Sequence, residues 1–185
     1  GRYKSVAEEK YARVVTRLKR PLTHPSWYQE TELGGFLADI LQESLRLDMM
    51  LVGSGSIRVT ELGPIVLFSN LTECIPYDDA AIALWVKGAQ LKKMILYMLR
   101  DEVWDGSHCE FFQFSGGMRV VYDKSNHKLK EFSLHGAPIE EEKVYKIGLQ
   151  YYFYLNLKDF FSISHEEVAQ NGKPRQIATS CREVL

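Results

Sequence analysis

Met49-Met50-Leu51-Val52 is an unbroken apolar run that delivers the chain into Gly53-Ser54-Gly55-Ser56, with Ile57-Arg58 directly behind. The run predicts a strand, and the four small residues predict a sharp turn at its end. Small residues let a backbone approach a ligand and present its N–H groups without obstruction. An arginine at that point adds a fixed cationic fork suited to phosphate or carboxylate. A bland tight turn uses the same residues, so the rest of the chain has to decide between the two.

Around this turn, helical and strand periodicities are mixed without regular alternation, which predicts an α+β fold rather than a doubly wound sheet. Apolar residues at helical spacing predict helices over Ser5–Arg20, Glu32–Leu47 and Ala89–Arg100. Gly34 and Gly35, in the first turns of the second, suggest close packing or close approach of a ligand. Short extended runs are expected at Ile65–Phe68, Ala81–Lys87, Phe111–Phe114, Met118–Tyr122, Leu129–His135 and Val144–Gln150. Tyr151–Phe161 is unusually aromatic, and the polar end from Glu166 to Leu185 predicts a short helix, a loop and a final strand or tail. With 185 residues, 45% hydrophobic and 25% charged, the chain is long enough for one domain with its own core. Residues 1–20 are read as an interdomain linker helix and 21–185 as the domain proper: the chain opens Gly1-Arg2-Tyr3 as if cut from a longer polypeptide, and a helix with one apolar stripe at that end suits a connector, while a helix of this domain's own core fits the same stripe.

A net charge of −1 argues against a non-specific nucleic-acid binder, which needs a basic surplus. No apolar run is long enough to span a membrane. Cys74, Cys109 and Cys181 lack the close spacing of a zinc knuckle or redox pair and are read as buried structural thiols, with a single disulfide left open. His24, His108, His127, His135 and His165 are scattered, form no H-E-x-x-H pair and are read as surface or turn histidines. No G-x-S-x-G elbow is present, and the Gly53 loop lacks the Lys-Ser/Thr ending of a phosphate-binding P-loop. No catalytic residue and no metal ligand is therefore assigned. Binding is the better supported chemistry. Tyr77 and Phe153 could grip a planar ring, and Asp159 closes the aromatic segment with an acid suited to sugar hydroxyls. Burial of both aromatics in a core is the competing reading.

The motif order weighs between them. Glu30-Thr31-Glu32-Leu33-Gly34-Gly35-Phe36-Leu37-Ala38-Asp39 is followed by Gly53-Ser54-Gly55-Ser56-Ile57-Arg58, Gly63-Pro64-Ile65-Val66, Pro76-Tyr77 and Lys87-Gly88-Ala89-Gln90-Leu91. Then come Phe114-Ser115-Gly116-Gly117-Met118-Arg119-Val120-Val121-Tyr122-Asp123, His135-Gly136-Ala137-Pro138-Ile139, Tyr145 and Phe153-Tyr154-Leu155-Asn156-Leu157-Lys158-Asp159-Phe160-Phe161. In order and spacing the series resembles the C-terminal domain of the 5′-nucleotidase/UDP-sugar hydrolase family, over nearly the whole chain. The resemblance implies a single α+β domain, a mixed sheet with packed helices, whose partner is an N-terminal metallophosphoesterase domain holding two divalent metal ions. It implies that Tyr77 and Phe153 sandwich the base of a nucleotide or nucleoside. Arg58 would face its phosphate or ribose, and Asp159 would accept from ribose hydroxyls. The implied function is substrate binding for a nucleotide phosphohydrolase, not catalytic on its own, and export or surface attachment goes with the family. The departures point to an alternative, a non-catalytic binding or interaction module that has lost the nucleotide pocket. Gly53 stands where the family has an asparagine, Gln29 where some members have an arginine, and the family's G-G-D-G-F loop has become Leu157-Lys158-Asp159-Phe160-Phe161.

Overall fold

The computed structural model describes residues 2–185. In chain order the elements are α1 (Arg2–Ala12), β1 (Val14–Arg17), β2 (Leu22–Thr23), α2 (Glu32–Ser44), β3 (Met49–Gly53), β4 (Glu61–Leu62), β5 (Ile65–Leu67), α3 (Phe68–Cys74), β6 (Ala81–Lys87) and α4 (Gly88–Met98). They continue with β7 (Phe112–Phe114), β8 (Met118–Asp123), β9 (Lys128–Leu134), β10 (Ala137–Pro138), β11 (Val144–Gln150), α5 (Tyr151–Leu155), α6 (Leu157–Phe161), α7 (His165–Ala169), β12 (Arg175–Ala178) and α8 (Cys181–Val184).

The central sheet has five strands in the order β12-β6-β11-β3-β7, and is antiparallel except for the β11–β3 pair. The Met49–Val52 run explains its position. Successive side chains of a strand point to opposite faces, and all of β3 is buried. Met49 and Leu51 enter one core with Leu84, Ile147, Leu149 and the inner face of α4. Met50 and Val52 enter a second with Ala38 and Leu41 of α2 and with Cys181. A sheet covered on both faces tolerates such a continuous apolar strand. A third cluster joins Leu33 and Leu37 of α2 to Ile57, Leu62, Val66 and Leu71. Strands β8, β9 and β10 form a separate antiparallel meander whose Phe132 packs into the first core.

The α+β class and most strand positions agree with the sequence reading. The expected helix over Ser5–Arg20 does not. It stops at Ala12, and Val14–Arg17 pairs antiparallel with β5 instead. Val14, Val15 and Thr16 are consecutive β-branched residues, which lose rotamer freedom in a helix and fit a pleated strand. Tyr11 of α1 packs on Phe68 of α3 at a centroid distance of 6.0 Å. His24 departs as well. The sequence reading puts it at the surface or in a turn, whereas it is 2% exposed. All three cysteines are unpaired; Cys74 and Cys181 are buried and Cys109 is only partly so. Burial pushes the Cys74 and Cys181 thiols up to about 12. Among the described residues, no helix is long and apolar enough to cross a membrane.

Candidate functional site

Strands β3 and β11 run parallel, so both deliver their C-terminal ends to the same edge of the sheet. Ligands of open sheets gather at such carboxyl ends. Here the ends are tied together. The Gly53 amide donates to Oε1 of Gln150 at 2.9 Å, and Gln150 Nε2 donates to Ser56 Oγ at 3.0 Å. Beyond them lies a cleft of about 610 Å³, lined by the turn residues Gly55, Ser56 and Arg58, the carboxylates of Asp78, Asp79 and Glu110, and the aromatics Tyr77, Tyr151, Tyr152 and Phe153.

The turn itself, a 3-10 segment over Ser54–Ser56, is held from below by a buried polar network. Gln113, 0% exposed, accepts from the Thr31 amide at 3.0 Å and donates to Gln29 O and Ser54 Oγ, each at 2.9 Å. Thr31 caps α2 by accepting from the Gly34 amide, and its hydroxyl also bonds His24 Nδ1 at 2.8 Å. Gly34 is required for contact: a Cβ there would overlap the Gln113 side chain. Among the described residues His24 Nε2 has no hydrogen-bond partner, and burial holds the imidazole below its ordinary pKa.

Arg58 is exposed, and its guanidinium lies 5.2 Å from the Trp27 ring centroid and 5.7 Å from that of Tyr77. Both distances are within cation–π range. Tyr77 is 73% exposed. The loop behind it is fixed by its two aspartates. Asp78 accepts from the Arg182 amide and Ser180 Oγ, and Asp79 accepts from the Tyr152 amide at 2.6 Å and the Ala80 amide at 2.9 Å. Thus α8 and the start of α5 are anchored to the loop that presents Tyr77.

Three of the four residues expected from the sequence line this cleft, namely Arg58, Tyr77 and Phe153. Their states differ. Phe153 is 3% exposed and sits edge-on to Phe112 and Phe160, both at 4.9 Å, so its ring belongs to the core as much as to the cleft. It reaches that position because residue 53 is glycine; a Cβ there would overlap its ring. Asp159 is exposed on α6 and is not among the lining residues. The acid nearest the turn is instead Glu110, just ahead of β7, whose Oε1 accepts the Gly55 amide at 2.8 Å. Burial pushes the Glu110 carboxyl up, opposed by that hydrogen bond and by attraction to Arg58. Neither Glu110 nor Gln150 carries a local sequence signal. Each matters through a contact with a distant turn, at separations of 55 and 97 positions.

Residues 12–164 match the family model described as 5′-nucleotidase, C-terminal domain. The chain belongs to that family. Among curated proteins, no sequence matches. Among solved structures it is similar to a 5′-nucleotidase precursor from Thermus thermophilus, with a TM-score of 0.75 and 16% identity, over 99% of this chain and 37% of that one. It is also similar to the NAD nucleotidase of Haemophilus influenzae, with a TM-score of 0.73 and 15% identity, over 99% of this chain and 36% of that one. A sulfate thiohydrolase from the same Thermus species gives 0.68 and 12%, over 97% of this chain and 32% of that one. The domain therefore spans about a third of these relatives' length, and at such identities the likeness is one of fold.

Proposed function

We propose that this domain is the substrate-binding and specificity part of a metal-dependent 5′-nucleotidase-type phosphohydrolase acting on nucleotides in their breakdown. The observation that carries the reading is the cleft at the joined ends of β3 and β11, where Arg58, Tyr77 and Phe153 converge. The names of two structural neighbours, a 5′-nucleotidase and an NAD nucleotidase, support it. In this reading Tyr77 and Phe153 hold the base, and Arg58 faces the phosphate or ribose. Among the described residues, no group of three or more His, Cys, Asp or Glu is placed to hold a metal ion. The two divalent ions would then belong to a metallophosphoesterase domain of the same polypeptide, to which α1 would connect. No bond-breaking step is assigned to the residues of this chain.

The burial of Phe153 favours a second reading, a module that keeps the fold without a nucleotide pocket. Calorimetric titration with adenosine 5′-monophosphate separates the two. Binding that weakens about tenfold or more in Tyr77→Ala supports the first, since stacking of a base on an aromatic contributes about 1–3 kcal/mol. Absence of binding at millimolar ligand would refute it and leave the second.

A further inference from the structure

The acid expected to read the ligand's hydroxyls, Asp159, is exposed on α6 and does not line the cleft. Glu110 does line it. Its carboxylate sits on the turn: Oε1 takes the Gly55 amide at 2.8 Å, and the Ser54 backbone and Arg58 also favour its charged form. A Cβ on Gly55 would stand 3.1 Å from Oε2, so any larger residue there would make the carboxylate give by a few tenths of an ångström. An ionised carboxylate only accepts, with about four lone-pair sites over its two oxygens. With one backbone amide accepted, the carboxylate keeps acceptor capacity at the cleft wall for the paired donors of a vicinal diol. The neighbouring aspartates are less available. Asp79 already accepts two backbone amides, and Asp78 is held by Ser180 and Arg182.

We propose that Glu110 is the specificity-determining acid of this cleft, accepting hydrogen bonds from the vicinal sugar hydroxyls of a ring-bearing ligand stacked at Tyr77. The proposal rests on the ring-binding reading given above. Arg58, whose charge acts on Glu110, stays against Trp27 and Tyr77 and so keeps the carboxylate from facing the cleft as an isolated anion. The Ser54–Ser56 turn then acts less as a cradle for a ligand's anion than as the mount for the chain's own. Its Gly55 amide is occupied by Glu110, and its Ser54 amide donates to Phe111 O at 2.8 Å.

The test compares adenosine with 2′,3′-dideoxyadenosine on the 185-residue chain, which carries its own core. The wild type is expected to bind adenosine about tenfold more tightly, the range of a charge-assisted hydrogen bond. In Glu110→Gln the amide oxygen can still accept from Gly55, and the adenosine preference should fall to about twofold or less. The preference is a ratio within one variant, so a partly unfolded sample does not imitate its loss. Equal binding of the two nucleosides by the wild type would overturn the proposal while leaving the ring site standing. So would a preference kept in Glu110→Gln and lost in Asp159→Asn, which would return the role to Asp159. No binding of either nucleoside would overturn the proposal and the ring-binding reading together.

Discussion

Gly53 and Phe153 are a coupled pair, and the coupling can be measured. Gly53 has φ −59° and ψ 123°, a conformation open to any L-residue, so substituting it strains no backbone. What a side chain meets there is the far end of the Phe153 ring, its Cζ and Cε atoms. The ring cannot easily give, because Phe112, Tyr152 and Phe160 surround it at centroid distances of 4.9, 5.3 and 4.9 Å. Forcing one methyl group into a packed interior costs about 1–3 kcal/mol. Gly53→Ala should therefore unfold at lower urea concentration, with a Tm lower by roughly 2–4 °C for each kcal/mol in a chain of this size. Phe153→Leu removes the atoms that overlap. In that background Gly53→Ala should cost close to nothing, a coupling of about 1–3 kcal/mol in the double-mutant cycle. Additive effects, or a Gly53→Ala variant as stable as the wild type, would refute the argument. The same overlap applies to asparagine, the residue that the family pattern has at this position. Gly53→Asn should then push the ring away from its packed neighbours and toward the cleft, at a similar cost in stability.

Two further expectations concern the network beneath the turn. Gln113→Leu keeps the volume roughly but strips the Thr31 amide of its acceptor, and should cost about 1–3 kcal/mol. Hydrogen exchange at the Thr31 amide should accelerate; unchanged exchange there would contradict the role given to Gln113. His24 has a folded pKa below its ordinary value of about 6.5 because it is buried, so at intermediate pH the unfolded chain binds the extra proton. Its contribution is fully present above about pH 6.5 and is lost as pH falls toward the lower folded value. Thermal melts should show that loss in the wild type and not in His24→Asn, and parallel pH profiles for the two would count against it.

What can be read from the sequence is set by local pattern. Met49–Val52 announces a strand, and Gly53–Ser56 a turn at its end, because both depend on residues a few positions apart. The β1 strand is misread for the same reason: the apolar spacing of Val14, Val15 and Leu18 also fits a helix, and only pairing with Ile65–Leu67 decides between them. Tyr77 and Arg58 both line the cleft, and each stands beside a loop signal of its own, Pro76 and the small-residue turn.

The placement of the acids around the cleft is harder to read, for a physical reason. An aspartate at the end of an aromatic segment looks like a binding residue. Whether it faces the ligand depends on how the segment turns, and here two short helices, α5 and α6, leave Asp159 exposed and off the cleft wall. Glu110 lies in an ordinary stretch, Cys109-Glu110-Phe111, and gains its place from the β3–β7 pairing, which sets Gly53 opposite Phe112 and so brings the residue ahead of β7 against the turn after β3. A glycine at 53 lets the Phe153 ring pack against Phe112, and the Gly55 amide holds the Glu110 carboxylate at the cleft wall.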